Sequence, residues 1–178
     1  MRGLLLLALL LVAAIQPHAA AAPQTYTDPF AYCAAVGNVD APDARWAGER
    51  VPLVIARGLQ KAFRIPGDTV PDHFIRGTHW RCMGGEVYAC NVGANIPCMS
   101  RAETSRTPTE GMVLYCRENP DSPFIPMYVR DRANIYDWRC MGGAPVIIRK
   151  VTDPDARGFL SNIWYQIAPP GLPPGKGL

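Results

Sequence analysis

The sequence predicts an α+β fold made of two disulfide-linked units, each with a helix and a β-hairpin. Three observations favour this class. The word Trp-Arg-Cys-Met-Gly-Gly occurs at residues 80–85 and again at 138–143. The dipeptide Tyr-Cys occurs at 32–33 and 115–116, each time beside helix signals. The chain has six cysteines, an even number that can pair completely.

An internal duplication accounts for the doubled words. The half-repeats are expected at about 28–98 and 107–168, and together they form a single α+β domain over 22–168. A chain of this length can bury a substantial core. The segment 169–178 is rich in proline and glycine, and we expect it to be a disordered tail.

The first 21 residues are predicted to be a signal peptide. Arg2 precedes an apolar run from Leu4 to Ile15, and the small residues Ala19 to Ala22 follow. This order is typical of an export signal, with cleavage after Ala21. The run of about 12 residues is shorter than the roughly 20 that a spanning helix needs, so we expect no membrane insertion after cleavage. The protein is expected to be periplasmic or secreted.

The charge balance does not favour nucleic acid as a partner. The formal net charge is +3, and cleavage removes one arginine and no acid, which leaves +2. The basic residues are scattered along the chain and do not cluster. A nucleic-acid-binding domain usually carries a concentrated basic patch.

Two helices are predicted to carry the Tyr-Cys pairs. Asp28-Pro29 supplies an N-cap and a first-turn proline, and Gly37 ends the first helix. The sequence Thr107-Pro108-Thr109-Glu110 resembles a capping box before the second, which ends at Asn119-Pro120. A third helix is predicted from Pro52 to Phe63. Its apolar positions are four residues apart on one face and have no counterpart in the second half: Val51, Ile55, Leu59 and Phe63.

The first repeated word predicts a β-hairpin. Side chains alternate along a strand, so Trp80 and Cys82 share one face and Arg81 points to the other. Gly84-Gly85 suits a two-residue turn with positive φ angles. This register places Cys82 opposite Val87 and Trp80 opposite Ala89.

The second copy predicts a hairpin of 135–141 with 144–151. A polar turn at 153–158 then leads to a final strand over 159–167. Together these strands are expected to form a C-terminal antiparallel meander. The similar words Phe74-Ile75-Arg76 and Tyr128-Val129-Arg130 suggest that the repeat extends upstream of each hairpin.

The simplest disulfide scheme links each helix to its hairpin. It pairs Cys33 with Cys82 and Cys116 with Cys140, and it leaves Cys90 with Cys98 to close a short loop. Six cysteines allow 15 connectivities. The main alternative exchanges partners between the halves, with Cys33 bonded to Cys140 and Cys82 to Cys116.

The sequence favours no metal or other cofactor. Cys-Met occurs three times, but adjacent strand residues point to opposite faces and cannot both ligate one ion. The cysteines also lack the spacing of zinc sites. His73 and His79 are the histidines left after cleavage, and a small envelope hydrolase that uses one of them is an alternative function.

A binding surface is the favoured functional hypothesis. If Trp80 and Trp138 face inward, Arg81 and Arg139 project from matching positions and could clamp an acidic group. The alternative is that they are solvated strand arginines and that Trp and Cys form the core. Asn95 belongs to the loop 91–97, which a local disulfide would hold ready for contact or simply stabilise.

Several of these words resemble a group of secreted bacterial proteins of uncharacterised function. The resemblance rests on residues 30–37, the two Trp-Arg-Cys-Met-Gly-Gly words and residues 92–98. It implies a periplasmic or extracellular setting and no particular activity.

The expected function is therefore a disulfide-stabilised binding or inhibitor module of the bacterial cell envelope. The partner would be an envelope protein, a glycan or a small acidic ligand. A structural accessory subunit, tethered by the proline-rich tail, is the other alternative.

Overall fold

The computed structural model describes residues 24–172. The predicted signal peptide, 1–21, lies outside the described residues, and so does the end of the predicted tail, 173–178. The described chain mixes helices with antiparallel sheets. This confirms the α+β class.

The first half contains three helices and one hairpin. Its elements are α1 (Pro29–Val36), α2 (Leu53–Ala62), α3 (Asp72–Gly77), β1 (Thr78–Met83) and β2 (Glu86–Asn91). The second half has a shorter set, α4 (Glu110–Glu118), α5 (Met127–Arg130), β3 (Tyr136–Met141) and β4 (Ala144–Lys150). A short 3₁₀ turn over Ser161–Ile163 and a last strand, β5 (Tyr165–Ile167), complete the described chain.

Both cysteine-bearing helices begin at capping side chains. Asp28 Oδ1 accepts hydrogen bonds from the backbone N–H groups of Phe30 at 2.9 Å and Ala31 at 2.8 Å. In α4 the N-cap is Thr109, whose Oγ1 accepts from the N–H of Met112 at 3.3 Å. The capping box predicted from Thr107 therefore begins two residues too early. Proline at 108 favours extended backbone in the residue before it, which keeps Thr107 out of the helix.

Each repeated word forms a strand that runs into a hairpin turn. Cys82 lies opposite Val87 and Trp80 opposite Ala89, which is the predicted register. The turn glycines have positive φ angles, +62° and +83° in the first hairpin and +57° and +81° in the second. Residues other than glycine rarely adopt these backbone angles, so the Gly-Gly pair favours this turn.

Three disulfides connect these elements, in the same pairs that the sequence favours. Cys33 on α1 bonds to Cys82 on β1, and Cys116 on α4 bonds to Cys140 on β3. Cys90 bonds to Cys98 and closes the loop after β2. None of the described cysteines is free.

The hairpin turns also contact the chain that follows each helix. The N–H of Gly85 donates to the carbonyl oxygen of Gly37 at 2.9 Å. In the second half the N–H of Gly143 donates to the carbonyl oxygen of Pro120 at 3.0 Å. The two halves therefore share a local design, in which a helix end supports a hairpin turn beside a disulfide.

The C-terminal meander is the part of the predicted topology that is wrong. Strand β5 pairs antiparallel with β2, where Val87 lies opposite Ile167, and the first sheet has the order β1-β2-β5. Strands β3 and β4 form a separate two-stranded sheet. The chain leaves β4 and crosses back to the first half because Phe159, Trp164 and Ile167 bury their side chains there.

The core has three clusters of buried side chains. The first packs α1 and α2 against the three-stranded sheet, and Leu59, Trp80 and Ile167 belong to it. The second packs α4 against β3 and β4. The third lies on the other face of β1 and β2 and comprises Tyr88, Cys90, Cys98, Phe159 and Trp164.

The predicted apolar face of α2 belongs to the first cluster. Val51, Ile55 and Leu59 are buried, and Phe63 is partly buried against them. A periodicity of four residues thus identified the side of the helix that packs. Within residues 24–172, no helix is long and apolar enough to cross a membrane.

Loss of a disulfide should destabilise the protein in order of loop length. The closed loops span 49, 24 and 8 residues for the bonds of Cys33, Cys116 and Cys90. Replacing both cysteines of a pair by alanine is expected to cost about 4, 3.5 and 2.5 kcal/mol, respectively, because the cross-link restricts the unfolded chain. Urea denaturation measures each free energy of unfolding. An inverted order would show that native-state contacts outweigh loop entropy.

Adding one methyl group at Gly58 should disturb the contact between α2 and β5. A Cβ atom at Gly58 would lie 2.5 Å from Cγ2 of Ile167, so Gly58→Ala is expected to destabilise the fold by about 1–3 kcal/mol. Gly111→Ala on α4 is the control, because its Cβ would meet no atom closer than 3.8 Å and alanine favours the helix. Thermal unfolding compares the two. Equal Tm values would contradict the close approach.

Candidate binding site

Arg81, one arginine of the predicted clamp, is fully buried. Its guanidinium group forms an ion pair with the carboxylate of Asp155, and the exposed fractions of the two side chains are 0 % and 2 %. The guanidinium carbon lies 4.3 Å from the ring centroids of both Phe159 and Trp164. The clamp prediction is therefore wrong for Arg81, which is not exposed to any ligand.

The physical reason is the crossing of the C-terminal segment. Strand alternation places Arg81 on the face away from Trp80, as predicted, but residues 153–164 cover that face. Arg81 Nε and Nη1 have no hydrogen-bond acceptor among the described residues. The adjacent rings of Phe159 and Trp164 partly compensate through cation–π attraction.

Arg139 differs from its counterpart because the matching face of the second hairpin stays uncovered. Its side chain is exposed, and Nη2 lies 3.6 Å from the sulfur of Met141, which is itself 53 % exposed. Arg139 is exposed, but Arg81 is buried and cannot form a clamp with it. The two copies of the word thus carry different arginine environments.

The third predicted residue, Asn95, lines a cleft against the second half. The cleft has a volume of about 440 Å³, and we call it the aromatic cleft. Asn95 comes from the loop after β2. The other lining residues come from the second half and are Phe124, Ile125, Pro126, Met127, Tyr128, Arg130, Asp137, Trp138 and Ile148.

Exposed apolar side chains dominate the mouth of the aromatic cleft. Tyr128 is 76 % exposed, Phe124 60 % and Ile148 50 %. They come from three places, the start of α5, the loop before it and strand β4. Large apolar side chains grouped around a concave surface are typical of a binding site.

An ion-pair network forms the polar part of the cleft. Arg130 Nη1 donates to the carbonyl oxygens of Tyr136 at 2.7 Å and Asn134 at 3.3 Å, and its Nη2 donates to Asp137 Oδ1 at 3.2 Å. Asp137 Oδ2 accepts from Arg149 Nε at 3.0 Å. Burial lowers the pKa of Arg130, but an arginine remains charged at neutral pH. The network fixes α5 against β3 and uses both carboxylate oxygens of Asp137.

The histidines lie outside this cleft. His73 is exposed on α3, and His79 is partly buried on β1. Burial, with a smaller contribution from the charge of Arg50, lowers the pKa of His79. Within residues 24–172 neither side chain forms a hydrogen bond or ion pair, and no three His, Cys, Asp or Glu side chains are grouped to hold a metal ion. The hydrolase alternative therefore gains no supporting geometry.

Sequence reasoning missed most of the cleft. Residues 128–130 were interpreted only as a possible extension of the repeat, because they are similar to residues 74–76. The available signal was the apolar run 124–129, which contains two aromatic residues and follows Pro123 outside any predicted element. Such a run either packs in the core or remains exposed for contact, and here Ile125 packs while Phe124 and Tyr128 remain exposed.

Comparison with known proteins finds no matching family model, no similar curated protein and no similar solved structure. The resemblance to secreted bacterial proteins therefore stays a prediction. Arguments about function rest on the residues of this chain.

Removing the charge of Asp155 should leave Arg81 buried without its partner. We expect Asp155→Asn to lower the free energy of unfolding by about 3–5 kcal/mol. The double variant Arg81→Met/Asp155→Asn should recover much of that loss, because it removes both charges. Urea denaturation of the single and double variants provides the measurement.

Arg139→Met is the matched control for these two variants. It changes the equivalent arginine of the second hairpin, which is exposed, and its effect should stay within about 0.5 kcal/mol. A cost for Asp155→Asn no greater than that of the control would show that the buried ion pair does not stabilise the fold.

Proposed function

We propose that the protein is an exported, disulfide-stabilised binding or inhibitor module of the bacterial cell envelope. Its ligand would be a segment of a partner protein, held at the aromatic cleft. The observation that carries this proposal is the group of exposed side chains of Phe124, Tyr128 and Ile148 around one concave surface.

Two features support the compartment. Three disulfides without a free cysteine among the described residues are consistent with an oxidising or extracellular environment. The sequence of residues 1–21 has the features of an export signal. A periplasmic or secreted location satisfies both.

The chemistry of the cleft favours a protein segment over a glycan. Tyrosine, phenylalanine and arginine are enriched in protein interfaces. A glycan would also need free polar groups to bind its hydroxyls, but both oxygens of Asp137 and three donor positions of Arg130 are already engaged. Asn95 alone adds an exposed amide to the lining.

A small acidic ligand has less support at this place. The arginine pair proposed to clamp it does not exist, because Arg81 is buried against Asp155. The side chain of Arg130 is only 9 % exposed and is already bonded to Asp137, so little of its guanidinium group can reach a ligand. The apolar mouth of the cleft matches apolar anchor residues of a partner better than a compact anion.

The cleft should lose its partner when its exposed aromatic residues are truncated. We expect Tyr128→Ala and Phe124→Ala each to weaken binding at least tenfold, since aromatic anchors dominate interface energies. The partner is first captured from cell-envelope extract on the oxidised protein and identified by mass spectrometry. Calorimetry with the purified partner then compares the variants.

Leu114→Ala is the matched control. Leu114 is 49 % exposed on α4 and does not line the cleft, so its truncation should leave the affinity unchanged. Equal losses in all three variants, or none in the cleft variants, would place the interface elsewhere. Binding to a glycan array that is lost in Tyr128→Ala would show that the ligand of the cleft is a saccharide and not a protein segment.

A further inference from the structure

A second groove lies between α2 and the chain from β5 to Leu172. Its volume is about 790 Å³, within the range of small-molecule pockets, roughly 300–1,000 Å³. None of its lining residues belongs to the aromatic cleft. An inference about it is therefore independent of the proposed function.

The floor of this groove is apolar. Val54 and Gly58 of α2 face the C-terminal segment, which contributes Ile167 and Ala168. Because Gly58 has no side chain, the helix lies directly against Ile167. The lining also includes Leu53, which is 45 % exposed. An apolar part of a ligand can be buried here.

The charged residues of the groove all have the same sign. Arg57, Lys61 and Arg64 line it, and its lining contains no aspartate or glutamate. All three side chains are exposed, and within residues 24–172 none of them forms an ion pair. Arg57 and Lys61 are four residues apart on one helix, where like charges repel. Lys61 is favourably placed in the last turn of α2, but none of the three charges has an acidic partner among the described residues.

Arg64 occupies a backbone position that favours glycine. The N–H of Ile65 donates to the carbonyl oxygen of Gln60 at 3.1 Å, and the N–H of Arg64 donates to that of Lys61 at 2.9 Å. These bonds define a Schellman motif at the end of α2, and Arg64 holds its left-handed position with φ +56°. Arginine makes the fold less stable here than glycine would, and it adds a third cation to the groove.

We propose that this groove binds an anionic amphiphile, a molecule with one acyl chain and a carboxylate or phosphate head. The chain lies on the apolar floor beside Val54, Gly58 and Ala168. The head contacts the ammonium and guanidinium groups of α2. Opposite charge attracts the head, and burial of the chain supplies the remaining affinity.

The shape of the groove favours a single molecule over a membrane surface. A membrane-binding helix presents an apolar face outward in the plane of the interface. In α2 the main apolar face, with Ile55 and Leu59, is instead buried in the core. The remaining apolar surface is concave and lies beside the cations.

The test measures binding of two probes of opposite charge to the purified, oxidised protein. Dodecanoate is the anionic probe and dodecyltrimethylammonium is the cationic one, both below their micelle concentrations. Calorimetry should detect binding of dodecanoate. The affinity for dodecyltrimethylammonium should be at least tenfold weaker. Arg57→Gln/Lys61→Gln should weaken dodecanoate at least tenfold, and Arg117→Gln, an exposed α4 control, should not change it.

Arg64→Gly separates binding from folding. We expect it to raise Tm, because glycine suits the left-handed position, and to weaken dodecanoate several-fold. Equal affinity for both probes, or an unchanged affinity in Arg57→Gln/Lys61→Gln, would overturn the proposal. So would binding to phosphatidylglycerol vesicles or to an acidic peptide without binding of dodecanoate.

Discussion

The buried ion pair between Arg81 and Asp155 is the interaction on which the arrangement of the two halves depends. One oxygen of Asp155 receives Arg81, and the other accepts the backbone N–H groups of Arg157 at 2.8 Å and Phe159 at 3.1 Å. A single carboxylate therefore shapes the returning loop and attaches it to the first hairpin. Phe159 and Trp164 then cover the guanidinium group, and β5 reaches β2 directly afterwards. The arrangement is stabilised as a unit, because an arginine buried without a partner would be strongly unfavourable.

This return of the chain makes two similar units unequal. In the first half, both faces of the hairpin are covered, by helices on one side and by residues 153–164 on the other. The second hairpin keeps one face exposed, as Arg139 and Met141 show. The aromatic cleft also belongs largely to the second half. The structure thus combines a closed half, held by two of the three disulfides, with a more open half that retains surface for contact.

Local features were predictable because neighbouring residues determine them. Asp28 caps α1, the Gly-Gly pairs turn both hairpins, and the alternation of Trp80 and Cys82 gives the register with β2. The disulfide pairs were favoured but not determined in this way, because the bonded cysteines lie up to 49 residues apart and an exchange of partners between the halves stayed open. A local error arose where two residues could fill one role. The α4 cap moved from Thr107 to Thr109, both of which carry a hydroxyl that can cap a helix.

By itself, the sequence determined the class of fold, the hairpins, the cysteine-bearing helices and the side of each strand that Arg81 and Arg139 occupy. Only the tertiary structure decided what lies against those sides. Side-chain direction follows from backbone geometry, whereas burial depends on which distant segment gains most by packing there. The first sheet, and not the second one nearer in sequence, packs against Phe159, Trp164 and Ile167. This packing buries Arg81 and leaves Arg139 exposed.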